Sequence, residues 1–165
     1  MLLDMEKINI AEQSFIYGFS LSADYSECYQ MATNKKSVTL ESCLSSFSLR
    51  SKWVDFLFKL RNILVKPFNL DTSTDEVTNN NPEKGEKLGF FDVLERSETE
   101  ILLNANDKHL EGWFSLQYET DKDKHTVKIV TVVKFHNLMG KIYFYTIKPF
   151  HYLIIRDALI KMCKY

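Results

Sequence analysis

The sequence has little of what builds disulfide frameworks, phosphate-binding loops and flexible linkers. Its 165 residues include 5 glycines, 3 prolines and 3 cysteines. The glycines are scattered and form no glycine-rich loop, which argues against the common nucleotide-binding motifs. The cysteines are Cys28, Cys43 and Cys163. Their number is odd and none is in CxxC spacing, so we expect free buried thiols in a reducing compartment.

The chain also lacks an excess of charge and a long apolar run. Basic and acidic residues number 21 and 22, and no basic stripe follows the sequence, which argues against a nucleic-acid or anionic-membrane surface. The longest apolar region, Ile142–Ile155, is interrupted by a lysine, a proline and a histidine, and it is short for a membrane span. The first twelve residues include Asp4 and Glu6 and no basic-then-apolar block. We therefore expect no secretory signal or transit peptide, and a cytoplasmic protein.

Hydrophobic and aromatic residues are plentiful. They make up 45% and 13% of the chain, with 12 Phe and 8 Tyr. One domain, 1–165, can therefore bury a large core or line a cavity. Within it, the range 1–13 is compatible with a flexible arm, and the polar range 69–87 predicts a surface loop.

Alternation of apolar and polar residues predicts a sheet of five strands. It is cleanest in Leu110–Tyr118, where Phe114 and Leu116 share one face and Trp113 lies on the other. The segment Ser14–Leu21 stays open between a strand and an ordered arm. The five predicted strands are Tyr25–Ala32, Leu88–Leu94, Thr99–Asn104, Leu110–Tyr118 and His125–His136.

Two shorter helices are predicted after the first strand. Ser37 or Thr39 can cap a helix over Leu40–Phe47. The clearest helical pattern covers Ser51–Lys66, where apolar residues at spacings of three and four form one stripe and a proline follows directly.

The last predicted helix decides the architecture. It follows Asn137, and because Pro149 lies inside it, either the helix kinks there or a second helix begins at the proline. The predicted fold is α+β: a curved antiparallel sheet wraps around the long C-terminal helix, and the two shorter helices close one end. Such an architecture commonly encloses a ligand cavity.

Several phrases of the sequence resemble an uncharacterised bacterial domain family. The resemblance runs from about Ala23 to the end of the chain and includes Trp53 and Leu60–Asn62 in the second predicted helix. The phrases that carry it further along the chain are Asn106–Leu110, Thr131–Tyr143 and Lys148–His151. This family is similar to the wider SRPBCC group, the START-like or birch-pollen-allergen-like helix-grip proteins.

The resemblance implies a helix-grip fold with a cavity between the sheet and the C-terminal helix, and it implies no particular reaction. Members occur alone or fused behind NAD-binding epimerase-like domains, so a homodimer or an NAD-binding-domain partner is an expectation. The chain departs from the pattern in two ways. Five strands are predicted where a full helix-grip sheet has seven, and Gly112 and Trp113 stand where the family has an aromatic residue followed by arginine.

Candidate acid/base residues lie at one end of the two long strands. Asp107 and His109 are two residues apart, so on a strand they point to the same side, and His136 ends the neighbouring strand. A carboxylate beside an imidazole orients the ring and favours its protonated form, as general acid/base catalysis requires. The competing interpretation is structural, because Asp at a turn commonly bonds its own backbone. Asp107, His109, His136 and His151 are of the residue types that bind zinc or iron. Their spacing matches no compact metal-binding motif, so we predict no metal site and no cofactor.

A second set of residues is predicted to contact a ligand. Arg61 can reach a carboxylate, although a solvated helix charge is the simpler interpretation. The aromatic runs Tyr143–Tyr145 and Phe150–Tyr152 cover every side of the last helix, so part of them is buried beyond the sheet or exposed for a partner. The predicted ligand-binding residues are Arg61, Trp113, Tyr143, Ile147, Phe150 and His151.

Three functions remain open on this basis. The favoured one is a module that binds an apolar or amphipathic small molecule between sheet and helix. The second is an acid/base enzyme of the cyclase or dehydratase type that uses His109 and Asp107. The third is a protein-interaction domain without a ligand.

Overall fold

The computed structural model describes residues 4–35, 37–48, 59, 62, 63, 66, 79, 81–122 and 124–164. Seven strands and three helices are described here. In chain order they are β1 (Met5–Ile8), α1 (Tyr17–Ser20), β2 (Tyr25–Thr33), α2 (Leu40–Ser48), β3 (Lys87–Leu88), β4 (Phe91–Arg96), β5 (Glu100–Asn106), β6 (Leu110–Asp121), β7 (Lys124–Phe135) and α3 (Leu138–Lys164). The fold is α+β, as predicted.

The strands form one curved antiparallel sheet in the order β1-β2-β7-β6-β5-β4-β3. The five predicted strands are confirmed, with ends that differ by up to three residues. β1 and β3, which bring the sheet to seven strands, were not predicted. They have four and two residues, too few for alternation to be recognised, and they lie at the two edges of the sheet. β1 also falls in the range 1–13 that is compatible with an arm.

The main core fills the space between the inner face of the sheet and the helices α2 and α3. Alternate residues of the central strands face it, among them Met31, Leu116 and Ile129, and α3 contributes Leu159 and Met162. All five are 6% exposed or less. Thr33 at the end of β2 also donates a hydrogen bond to the carbonyl of Cys163 (2.9 Å), which fixes the end of α3 to the sheet.

A second core lies on the outer face of the sheet and is covered by the N-terminal segment, residues 8–23. Ile16 is fully buried there, and Phe19 stacks on Trp113 with ring centroids 4.9 Å apart. Glu100 fastens the segment, because its carboxylate accepts hydrogen bonds from Ser14 Oγ (2.8 Å) and Phe15 N (3.2 Å). Ser14–Leu21, which the sequence left open, therefore forms turns and the short helix α1.

α3 is one continuous helix of 27 residues that contains Pro149, so no second helix begins there. Its first turn is capped by Asn137, whose Oδ1 accepts a hydrogen bond from Gly140 N (3.1 Å). α2 is confirmed as well. Thr39 caps it reciprocally, since Thr39 Oγ1 accepts from Ser42 N and Ser42 Oγ accepts from Thr39 N. The predicted helix Ser51–Lys66 and the predicted loop 69–87 fall largely outside the described residues.

Candidate ligand site between the sheet and the C-terminal helix

Polar side chains meet on the inner face of the sheet, beneath the middle of α3. Glu27 of β2 lies opposite Thr131 of β7, and Thr131 lies opposite Phe114 of β6, so the three form one row across the sheet. His151 of α3 is above this row. Glu27 and Thr131 are 5% and 1% exposed. A buried carboxyl, a hydroxyl and an imidazole thus share an interior that is otherwise apolar.

The contacts in this cluster are short. The Nε2 atom of His151 is 3.0 Å from Thr131 Oγ1 and 3.6 Å from Glu27 Oε1. The phenol of Tyr25 donates a hydrogen bond to Glu27 Oε2 (2.5 Å). Tyr25, Glu27 and Tyr29 are alternate residues of β2, so strand geometry alone places their side chains on one face.

Burial and the negative charge of Glu27 determine the protonation states of His151, Tyr25 and Tyr29. Burial lowers the pKa of His151, and the nearby Glu27 only partly opposes that effect. Burial and the Glu27 carboxylate raise the pKa of Tyr25, and they raise that of Tyr29 to about 12. The imidazole is therefore neutral at pH 7, and both phenols keep their protons.

The proton of the neutral imidazole is assigned to Nε2. A lone pair on this atom would face the Glu27 carboxylate, whereas an N–H there is attracted by it and can donate to Thr131 Oγ1. Nδ1 of His151 is then a hydrogen-bond acceptor. It has no hydrogen-bond partner among the described residues, and the side chain is 18% exposed.

A row of aromatic rings leads from the protein surface to His151. Phe90 is 38% exposed and its ring centroid is 4.1 Å from that of Phe91, which is 5.1 Å from Phe114. The Phe114 ring is 6.0 Å from the His151 ring. The polar cluster is thus at the inner end of an aromatic row whose outer end is open to solvent.

The predicted acid/base residues lie elsewhere, at the joint between the β5–β6 turn and the start of α3. Asp107 and His109 are in that turn rather than on a strand, and Asp107 N bonds Leu110 O (2.9 Å). The Nδ1 atom of His109 is 3.2 Å from Asn137 Oδ1, and Asn137 Nδ2 donates to the carbonyl of Lys108 (3.3 Å). These contacts tie the turn to the cap of α3.

His136 joins this region through its backbone, since its N–H donates to the carbonyl of His109 (2.9 Å). Its side chain is exposed and lines an open surface depression of about 420 Å³ with Asp24, Phe135 and Tyr145. A second depression, of about 470 Å³, adjoins it along the first two turns of α3. Both are grooves at the helix start and do not lie above Glu27.

The predicted ligand-binding residues are divided between the two faces of the sheet. His151 is in the polar cluster. Trp113 faces the outer core and the N-terminal segment, so it points away from α3. Tyr143 is 5% exposed and packs with Ile147 near the start of the helix, and Phe150 is half-buried. Arg61 lies outside the described residues.

Sequence reasoning missed Glu27, Thr131, Tyr25 and the aromatic row. One signal was present, because Glu27 lies on the same face of β2 as Tyr25, Tyr29 and Met31. An acid among large apolar and aromatic residues on one strand face indicates a buried carboxyl. Its partner on α3 requires the packing of the helix to be known.

Among the residues that the structure describes, no three His, Cys, Asp or Glu side chains are grouped closely enough to hold a metal ion. No helix within the described ranges combines the length and apolar character needed to cross a membrane.

Comparison with known proteins identifies one family. A family described as "Protein of unknown function (DUF2867)" matches residues 20–158, most of the chain. No curated protein matches. Among solved structures, the chain is similar to one titled "Crystal structure of Ara h 8.0201", with 10% sequence identity and a TM-score of 0.40 over 86% of this chain and 100% of that one.

Proposed function

Since the chain belongs to the DUF2867 family, whose function is unknown, we propose a function from the geometry of its site. The protein is a binding module for a small amphipathic molecule, held between the sheet and α3. The apolar part of the ligand lies along the row Phe90, Phe91 and Phe114, and its polar part reaches the cluster of Glu27, Thr131 and His151.

The observation that carries this proposal is the position of the polar cluster at the end of the aromatic row. Ligand sites are mostly apolar, with a few placed polar groups that orient the ligand. Here Phe90, Phe91 and Phe114 supply the apolar wall and the cluster supplies the polar end. The centroids of successive rings, from Phe90 to His151, are 4.1, 5.1 and 6.0 Å apart. The exposed edge of Phe90 provides the entrance.

Folding alone gives no reason for a carboxyl at this position. A buried charge costs several kcal/mol of desolvation, and a matched apolar side chain often stabilises a core as well or better. Glu27 lies on the inner face of β2, and further along this face the pairs Tyr29–Ile129 and Met31–Val127 belong to the main core, where no carboxyl is present among the described residues. A polar group that folding does not require is expected to serve recognition.

Native mass spectrometry tests the proposal most directly. Protein purified from its own host is sprayed under non-denaturing conditions, and the expected result is a mass increment of a few hundred daltons that disappears on denaturation. The ligand is then extracted and identified. Its absence is informative only together with a titration of the apo protein.

The titration uses 2-naphthol, a neutral fluorescent probe, and a matched pair of variants. Phe90→Ser removes the outer ring of the row, and Phe15→Ser removes a ring of the same exposure (38%) on the opposite side of the sheet. We expect Phe90→Ser to weaken binding by roughly five- to thirtyfold, from lost ring contact of about 1–2 kcal/mol, and Phe15→Ser to change it less than twofold. No saturable binding to the wild type, or equal effects of the two variants, refutes the proposal.

A further inference from the structure

We infer that the polar group of the ligand is a hydrogen-bond donor, a neutral hydroxyl on an aromatic or other apolar frame, and that it donates to Nδ1 of His151. This inference rests on the proposed function and specifies its ligand class. Glu27 and Thr131 are positioning residues, because they hold the ring in the tautomer that leaves this nitrogen with a lone pair.

Two oxygen atoms of the sheet lie near Nε2 of His151. Thr131 Oγ1 at 3.0 Å and Glu27 Oε1 at 3.6 Å both lie on the sheet side of the ring, and a carboxylate attracts an N–H and repels a lone pair. A neutral imidazole has one N–H. With Nε2 protonated towards the sheet, Nδ1 can only accept.

Tyr25 and Thr131 each already have one hydrogen-bond partner within the cluster. The phenol of Tyr25 already donates to Glu27 Oε2 (2.5 Å), and Thr131 Oγ1 accepts from His151 Nε2, which leaves the Thr131 O–H as a donor. The acceptor on Nδ1 has no partner among the described residues, and an acceptor left unpaired on ligand binding would cost affinity.

The negative charge of Glu27 argues against an anionic group on the ligand. A carboxylate or phosphate would bring a second negative charge close to buried Glu27, and both groups are acceptors that cannot pair with an Nδ1 lone pair. A hydroxyl satisfies Nδ1 without adding charge. The aromatic row next to His151 then favours a ring system as the frame that carries it.

A pair of probes that differ only in the donor tests the inference. 2-Naphthol carries the hydroxyl, and 2-methoxynaphthalene replaces its hydrogen with a methyl group. Dissociation constants for both are measured by fluorescence titration at pH 7 on the wild type, on His151→Phe and on Thr131→Val. The ratio of the two probes' affinities is compared between the wild type and each variant, so that the difference in hydrophobicity between the probes cancels.

The expected result is a naphthol-to-ether affinity ratio about tenfold higher in the wild type than in His151→Phe, the size of one hydrogen bond. Thr131→Val lowers the ratio in part, because one of the two contacts that hold the tautomer is lost. An equal ratio in wild type and His151→Phe overturns the inference while the binding proposal stands. If neither probe binds the wild type, both are overturned.

A measurement on the unmodified protein removes the dependence on folded variants. With ¹⁵N-labelled histidine, the imidazole nitrogen shifts distinguish a protonated nitrogen from one that carries a lone pair. We expect the protonated signal at Nε2 of His151, and a shift of the Nδ1 signal when 2-naphthol is added. A protonated Nδ1 in the ligand-free protein overturns the inference.

Discussion

Replacement of Gly140 by alanine tests how closely α3 approaches the sheet. An ideal Cβ at position 140 would lie 2.0 Å from the carbonyl oxygen of His109 and 2.7 Å from its carbonyl carbon. Ordinary van der Waals contact begins near 3.4 Å. Both neighbouring atoms belong to the backbone, so no side-chain rotation can relieve the clash. The start of α3 has to move away from the β5–β6 turn by more than about 1 Å.

This movement disturbs the joint that Asn137 holds together. Asn137 accepts from Gly140 N and donates to the carbonyl of Lys108, and a shift of the helix weakens both hydrogen bonds. Overpacking costs about 1–3 kcal/mol and the two bonds about 1 kcal/mol each, against a helix-propensity gain for alanine of about 1 kcal/mol. We expect Gly140→Ala to lower the free energy of unfolding by about 2–4 kcal/mol, or the Tm by roughly 4–16 °C.

The assay is urea unfolding followed by far-UV circular dichroism, with thermal melts as a second measurement. Gly18→Ala is the matched control: it is also a helical glycine, and nothing lies within 4 Å of its ideal Cβ. This control is expected to be neutral or to stabilise by up to about 1 kcal/mol. If Gly140→Ala unfolds within about 0.5 kcal/mol of the wild type, the close approach of α3 to the turn is wrong.

Three further predictions concern the buried polar groups. Glu100→Gln is expected to destabilise the protein by about 1–3 kcal/mol and to make residues 8–23 more sensitive to proteolysis, because the Glu100 carboxylate accepts hydrogen bonds from Ser14, Phe15, Ser115 and Gln117. The control is Glu98→Gln at an exposed position, and equal unfolding curves for the two variants would contradict the role of Glu100. The pKa of His151 is lowered in the folded state, so the unfolded chain binds a proton more readily and stability falls as pH drops below about 6.5. In urea unfolding at a series of pH values, this pH-dependent part of the unfolding free energy is expected to vanish in His151→Gln and to persist in His136→Gln. The apolar triple variant Glu27→Leu, Thr131→Val, His151→Leu is expected to be as stable as the wild type or more stable by about 1–4 kcal/mol, yet to lose the preference for 2-naphthol over 2-methoxynaphthalene. If its free energy of unfolding falls by more than about 2 kcal/mol, the cluster serves folding.

The central strands and the last helix were predictable because their signals are local. β6 and β7 each have 12 residues, so alternation repeats several times, and one face of each packs on a helix. The edge strands β1 and β3 carry no such signal, since pairing with their neighbours, not their own pattern, makes them strands. Pro149 illustrates the same limit: a continuous α3 depends on how its neighbours hold the helix.

The site was less predictable than the fold because its residues are distant in sequence. Asp107 and His109 are near neighbours in sequence, but Asp107 closes a turn and His109 contacts the helix cap. Glu27 and His151 come from opposite ends of the chain, and only the pairing of β2 with β7 and the packing of α3 bring them together. The face of a strand can be read from sequence, but the residue that lies above it cannot.

Two buried carboxyls in this fold differ in a way that separates structure from function. Glu100 accepts four hydrogen bonds, all from groups of the protein, and joins two segments whose separation would expose a core. Glu27 orients an imidazole whose second nitrogen has no partner among the described residues, beside rings that reach the surface. A polar group that is fully paired within the protein stabilises the fold, and in the proposed function the open acceptor beside Glu27 is completed by a ligand. This difference is the reason why we propose Glu27, and not Glu100, as part of the ligand site.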